Sequence, residues 1–334
     1  MKVALLGPIA WRTPPRAYGP WEQVVSLLAE GLVAGGVDVT LFASLDSVTT
    51  AKLDGVCPRP YNEDAEIDGR VWEAIHVGHC LERSAEFDLV HNHLDWLPLA
   101  MSGLCRTRML TTVHGFCGPG ILPAYQRARS AFVSISDADR GPGIDYAATI
   151  YHGIDVRQLP WQEHPGDALV AFGRIHPDKG TVEAIQIARR AGRPLLICGP
   201  VHDQQYFDAL VRPELTDDSV RYLGNVGPAE RARILGAAPA LLHPIGFAEP
   251  FGLSVVEAMT CGTPVVAFRK GSMPEVVDEG ITGYLADTVD DALPALERAL
   301  KLDRHRVRER AVERFSADRM VTDYLRLYER LTVG

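Results

Sequence analysis

The 334-residue chain has no CxxC pair, no GxGxxG loop and no apolar run of 18 residues. It has no excess of positive charge either: 34 Lys and Arg stand against 43 Asp and Glu, a formal net charge of −9. Each absence excludes something. The six cysteines, Cys57, Cys80, Cys105, Cys117, Cys198 and Cys261, are scattered. Their spacing gives neither a zinc knuckle nor a disulfide framework, and they read as reduced thiols of a cytoplasmic protein. Without a long apolar run nothing spans a membrane, although peripheral membrane contact stays open. The charge balance leaves no electrostatic footprint for nucleic acid. The first strand–helix turn runs Gly7-Pro8-Ile9-Ala10-Trp11-Arg12 and continues to Gly19 before a helix begins. That loop lacks the glycines of a nicotinamide dehydrogenase. The opening Met1–Gly7 reads as a first strand rather than a signal peptide, since its apolar run is short and no small-residue cleavage site follows. No internal repeat or low-complexity segment is present.

Hydrophobic residues make up 46% and charged residues 23%, the mix of an ordinary folded protein. At ~100–200 residues per domain, the length favours two domains. Short apolar runs at Lys2–Leu6, Val37–Ala43, Phe87–Asn92, Met109–Val113, Ala131–Ile135 and Ala148–Tyr151 read as strands. Between the first two, Trp21–Val33 places Val24, Val25, Leu28 and Leu32 at helical spacing, with Pro20 at its first turn. Asp155–Asp167, with Pro160, Trp161 and Pro165, has no periodicity and reads as a linker. A second alternating set follows: strands at Leu169–Phe172, Leu195–Cys198, Val220–Leu223, Ala240–His243 and Pro264–Ala267, with helices at Thr181–Ala191 and Gly252–Met259. The rhythm predicts α/β architecture, two doubly wound Rossmann-like domains facing across a cleft. The expected divisions are 1–158, 159–316, and a final helix at 317–334.

Two segments carry chemistry. Gly173-Arg174-Ile175-His176-Pro177-Asp178-Lys179-Gly180 lies where a strand ends and a helix begins, which suits a diphosphate. Taken alone, it could equally be two surface cations at an ordinary turn. Gly246–Glu257 carries Glu249 before a helix and Glu257 inside it, with Phe251, Gly252 and Leu253 offering amides at the helix start. Glu249 beside that positive end could hold sugar hydroxyls, and Glu257 could grip a ribose. Each glutamate alone is more simply a helix-start acid or a solvated side chain.

Together the segments resemble the retaining glycosyltransferases of family four, which have the GT-B fold. His114-Gly115 after a strand, His152-Gly153-Ile154-Asp155 before the linker, and Gly271-Ser272-Met273-Pro274-Glu275 with Gly283 extend the resemblance over nearly the whole chain. It implies a nucleotide-diphosphate sugar as donor, with no cofactor and no metal. It implies that Arg174 and Lys179 hold the diphosphate, Glu257 the ribose and Glu249 the transferred sugar. It places His114 in the sugar pocket, brings Gly19 close to the donor phosphates, and packs the final helix back on the first domain. The chain departs from the pattern at His152, where Asn is usual, so that residue is left out of the site. It departs again at Pro20, where a second glycine is usual.

A double displacement needs a second carboxylate close to the first, about 5–5.5 Å away in glycosidases. Glu249 has no obvious partner of that kind, so same-face substitution is expected. Trp11, His93 and Trp96 are candidate acceptor residues, since aromatic faces suit sugar C–H faces and His93 falls at a strand end. His91-Asn92-His93 with Asp95 could suggest a metal, but no third ligand has convincing spacing. His91 reads better as a satisfied core histidine. A surface polysaccharide precursor, a small metabolite or a natural product could be the acceptor. Similar short members of the resembled family occur in antibiotic pathways, and the acceptor stays open among the three. A sugar-nucleotide 2-epimerase and a non-catalytic carbohydrate-binding relative are the alternatives. The glutamate spacing opposes the first, and the intact Arg174, Lys179, Glu249 and Glu257 oppose the second.

Overall fold

The computed structural model describes residues 1–115 and 117–332, and its chain divides into two compact units. The N-terminal unit comprises Met1–Gly153 and the segment from Ala317 onward. Its strands are β1 (Lys2–Leu6), β2 (Asp38–Phe42), β3 (Lys52–Asp54), β4 (Leu89–Asn92), β5 (Arg108–Val113), β6 (Ala131–Ser134) and β7 (Tyr146–Thr149). They form a parallel sheet in the order β3-β2-β1-β4-β5-β6-β7. Val3, Ala4, Leu5 and Leu6 of β1 are all buried, as expected of a strand covered on both faces. The helices of this sheet are α1 (Pro20–Ala34), α2 (Gly69–Glu82), α3 (Trp96–Ala100) and α4 (Leu122–Arg127). In α1 Pro20 stands at the first helical position, where its missing N–H has no intrahelical partner to lose. The strand expected at 148–151 runs instead from Tyr146 to Thr149, where its register against β6 is broken by an irregularity at Phe132/Val133.

The C-terminal unit, Ile154–Ser316, has strands β8 (Leu169–Phe172), β9 (Leu195–Cys198), β10 (Val220–Tyr222), β11 (Leu241–His243), β12 (Val265–Phe268) and β13 (Gly283–Ala286). They form a second parallel sheet, β10-β9-β8-β11-β12-β13. Helices α5 (Thr181–Arg190), α6 (Gln204–Tyr206), α7 (Pro228–Ala237), α8 (Leu253–Thr260), α9 (Met273–Val276), α10 (Val289–Ala299) and α11 (Arg304–Phe315) accompany it. Ile185, Leu195, Ile197, Leu242 and Leu296 belong to one buried apolar cluster of this unit.

The division falls at Gly153/Ile154, not after residue 158. The Ile154 amide donates to the Phe315 carbonyl at 2.9 Å, and Arg308 Nη1 donates to the Leu159 carbonyl at 2.7 Å. Residues 154–159 are therefore fastened to α11 of the C-terminal unit.

The final helix, α12 (Ala317–Thr332), returns to the N-terminal unit and packs on α1. The expected helix ran to residue 334, and Val333 and Gly334 lie outside the described residues, as does Phe116. Met320, Tyr324, Leu327 and Tyr328 are buried along one stripe, the spacing that a helix presents to a core.

Candidate active site

In each sheet the strand order reverses beside the first strand of the unit, between β1 and β4 and between β8 and β11. Loops leaving the carboxyl ends at such a point splay apart and leave room for a ligand. Arg174 and Lys179 lie on the loop after β8, and Glu249 lies on the loop after β11. The Gly246 amide donates to the Asp178 carbonyl at 2.8 Å, which ties these two loops together.

Lys179 closes a short 3₁₀ turn, Pro177–Lys179, and its ammonium lies over the Phe247 ring at 4.5 Å. Its Nζ donates to Glu249 Oε2 at 2.6 Å, with only 17% and 13% of the two side chains exposed. His243 Nε2 lies 3.8 Å from the same oxygen, buried and without a hydrogen-bond partner. Burial pushes its pKa down to about 4, against the opposing pull of Glu249. The Gly271-Ser272 segment holds the Glu249 loop: the Ser272 amide donates to the Glu249 carbonyl at 2.9 Å. Gly271 has φ 53°, and a Cβ there would fall 2.3 Å from the Glu249 backbone nitrogen and oxygen. No other residue fits that contact.

At the start of α8, Gly252 has no side chain to cap the helix. The amides of Leu253 and Ser254 therefore have no partner within the helix, just after the buried Phe251. Further along α8, burial raises the Glu257 carboxyl above its ordinary range, and Arg231 Nη2 on α7, 3.5 Å away, opposes the shift. Arg231 was not foreseen from sequence. Arg174 is partly exposed, and its Nη1 donates to His202 Nε2 at 3.5 Å. The structure thus brings Lys179 and Glu249 into contact and sets Glu257 in a separate pair with Arg231.

In the N-terminal unit, Gly19 closes the first loop with φ 154°. A Cβ there would stand 2.7 Å from Pro15 Cβ and 3.1 Å from Glu22 Oε2. Glu22 Oε1 accepts the Trp11 amide at 3.0 Å, and burial pushes this carboxyl up to about 7. The Trp11 ring meets Tyr18 edge-on at 6.2 Å. Trp96, at the start of α3, is 46% exposed.

His114 follows β5 and stacks with Trp21, ring centroids 5.1 Å apart at 22°. Burial pushes its pKa down to about 3. Its Nε2 faces His93 Nδ1 at 3.1 Å and its Nδ1 faces His152 Nε2 at 3.3 Å. Both ring nitrogens are therefore engaged inside the unit. His93 is wholly buried and bonded at both nitrogens, to His114 and to His91. His152, set aside on sequence, belongs to this same array. Among the described residues no group of three or more His, Cys, Asp and Glu is arranged to hold a metal ion, and no helix is long and apolar enough to cross a membrane.

Two parallel-sheet Rossmann-like units of this kind define the GT-B glycosyltransferase fold. Residues 159–314 match the family model of glycosyl transferases group 1. It is 26% identical to a glycogen synthase of Mycobacterium tuberculosis (strain CDC 1551 / Oshkosh), over 95% of this chain and 90% of that one. Among solved structures it is similar to AviGT4, a glycosyltransferase involved in avilamycin A biosynthesis, at a TM-score of 0.78 and 27% identity, covering 100% and 98% of the two chains. The fold of Anabaena Alr3699/HepE, solved with UDP and glucose, superposes at a TM-score of 0.75 with 18% identity, covering 99% and 100%.

Proposed function

We propose that this glycosyltransferase moves a sugar, with retention of anomeric configuration, from a UDP-sugar to a carbohydrate or natural-product acceptor in the cytoplasm. The observation that carries the reading is the Lys179–Glu249 contact at 2.6 Å, beside Arg174 and the uncapped start of α8. Cations and free amides suit a diphosphate, and a carboxylate next to them suits sugar hydroxyls. Arg174, Lys179 and the α8 amides hold the diphosphate, Glu249 the transferred sugar and Glu257 the ribose. The two cations balance the departing diphosphate, so the reaction needs no metal or other cofactor. The C-terminal unit is the donor side. In the N-terminal unit Gly19 and His114 are assigned a role toward the donor, and Trp11 and Trp96 a role toward the acceptor.

Glu249 is engaged by Lys179 rather than paired with a second carboxylate. A same-face substitution follows, in which a donor phosphate oxygen takes the acceptor proton as the glycosidic bond to the diphosphate breaks. The protein contributes orientation and stabilisation of the leaving group. The names of the related proteins, a glycogen synthase and an antibiotic-pathway glycosyltransferase, support the substrate classes. The test is nucleotide release from UDP-, GDP- and ADP-sugars with and without candidate acceptors. UDP release that rises on adding an acceptor, with an unchanged anomer by NMR, supports the reading. An inverted product overturns it.

A further inference from the structure

Four histidines from three neighbouring segments of the N-terminal unit meet ring to ring. His152 Nε2 faces His114 Nδ1 at 3.3 Å, His114 Nε2 faces His93 Nδ1 at 3.1 Å, and His93 Nε2 faces His91 Nδ1 at 3.3 Å. At every junction an Nε2 meets an Nδ1. A neutral imidazole has one N–H and one lone pair, so the junctions can all be hydrogen bonds only if each ring carries its proton on the same kind of nitrogen. A mixed assignment sets two N–H groups, or two lone pairs, against each other. His91 and His93 are wholly buried and His114 and His152 are 6% and 3% exposed, so water cannot repair such a mismatch.

At its His91 end the array meets hydroxyls. His91 Nδ1 is shared between His93 at 3.3 Å and Tyr328 Oη at 2.6 Å, the hydroxyl being the closer partner, so the His91 junction is a bifurcated one, and His91 Nε2 lies 2.8 Å from Thr112 Oγ1. Thr112 Oγ1 in turn lies 2.7 Å from Tyr324 Oη. Hydroxyls rotate and both donate and accept, so they can terminate either polarity. Burial holds all four rings below the ordinary imidazole range, which keeps them neutral, as this bonding requires. Both tyrosines belong to α12, so the final helix holds one end of a chain that reaches His114.

We propose that His91, His93, His114 and His152 form one hydrogen-bonded array locked in a single tautomer, and that His93, His152 and Tyr328 are positioning residues for His114. The proposal rests on the reading of His114 as a residue of the transfer site. It assigns the return of α12 to the N-terminal unit a role in fixing the proton and the ring plane of His114.

The experiment is a long-range ¹H–¹⁵N imidazole spectrum of the full chain at pH 7.5, alongside steady-state transfer. His93, His114 and His152 should show one common tautomer. Tyr328→Phe should shift the His114 ring signals and lower kcat about tenfold, with donor KM changed much less. Thr112→Val removes the other hydroxyl with little change of shape, and should do the same if Tyr328→Phe does not fold. Two tautomers among the three rings would overturn the array. A common tautomer with unchanged His114 signals and kcat in a folded variant would overturn the positioning role. The spectrum is read without turnover, so a protein that transfers no sugar would leave the array tested while the functional reading failed.

Discussion

Lys179 Nζ stands 2.6 Å from Glu249 Oε2, so the cation assigned to the diphosphate is held by the carboxylate assigned to the sugar. Donor binding must loosen that pair. Glu249→Gln should free the ammonium, so that UDP binds severalfold tighter while transfer falls ten- to a hundredfold, the scale of one bond to a charged group. Calorimetry with UDP beside a turnover assay checks both directions. Weaker UDP binding in this variant would reverse the assignment.

Arg174→Ala and Lys179→Ala should differ in size. Each removes a cation from the diphosphate, a loss of about ten- to a hundredfold in nucleotide affinity. Lys179→Ala also leaves Glu249, with only 13% of its side chain exposed, without its cation, so its anionic charge then faces the phosphates. Lys179→Ala should be the more damaging, and equal titrations of the two variants would count against the pairing.

Glu257→Ala should weaken UDP and UDP-sugar alike, because the ribose is common to both. Arg231→Ala should act through pH. Burial raises the Glu257 carboxyl and Arg231 lowers it, so losing the arginine lets the pKa climb further. The acid-side loss of UDP affinity should then move to higher pH in Arg231→Ala. An unmoved profile would show that Glu257 does not touch the ribose as an anion.

Below neutrality, two kinds of buried group should act on stability in opposite directions. Burial holds His76 and His243 near 4 and His114 near 3, against an ordinary 6.5. Between those values the unfolded chain binds more protons, so acidification from pH 6.5 lowers stability, by up to ~1.4 kcal/mol per unit for each such group. Glu22 runs the other way: its folded pKa is about 7 against an ordinary 4.5, so its ionisation costs stability as pH rises through that window. Glu22→Gln should therefore raise Tm by a few degrees at pH 8.5 and much less at pH 5, by thermal melts. A uniform Tm change across that range would discount the carboxyl.

The loop at Gly19 gives a sharper contrast than its sequence suggests. Gly19→Val would be expected to leave the fold intact if the glycine only faced phosphate. The structure sets its Cβ position 2.7 Å from Pro15, at a φ of 154°. The variant should lose activity and several degrees of Tm together, while Pro20→Gly costs ~1 kcal/mol or less. A Gly19→Val melt matching the parent would refute the packing account.

Sheet interiors were legible in the sequence because a strand buried on both faces is an unbroken apolar run: β1, β8 and β9 fall where the pattern places them. Edges were not. β3 is only Lys-Leu-Asp and β13 begins with glycine, so neither carries a run to read. In the site, segment chemistry pointed to Lys179 and Glu249, but their contact spans 70 residues of chain and no local pattern encodes it. Arg231 was hidden among the charges of an ordinary amphipathic helix. His243 closes an apolar strand and looks like core. The histidine array was invisible for a similar reason: only the pairing of β4 with β5 sets His93 beside His114.

The chain enters the C-terminal unit at Ile154 and leaves it at Ser316, and those two residues pair in a parallel bridge. On the other side of the crossing, the Gly153 amide donates to Met320 Sδ at 3.0 Å, so the host's two cut ends are neighbours as well. Residues 154–316 are thus a cassette, spliced into a host that closes around the insertion. A homologous cassette could be exchanged through two adjacent junctions, while α12 and its tyrosines stay with the host; under the proposed roles, such an exchange would recombine one parent's donor preference with another's acceptor preference.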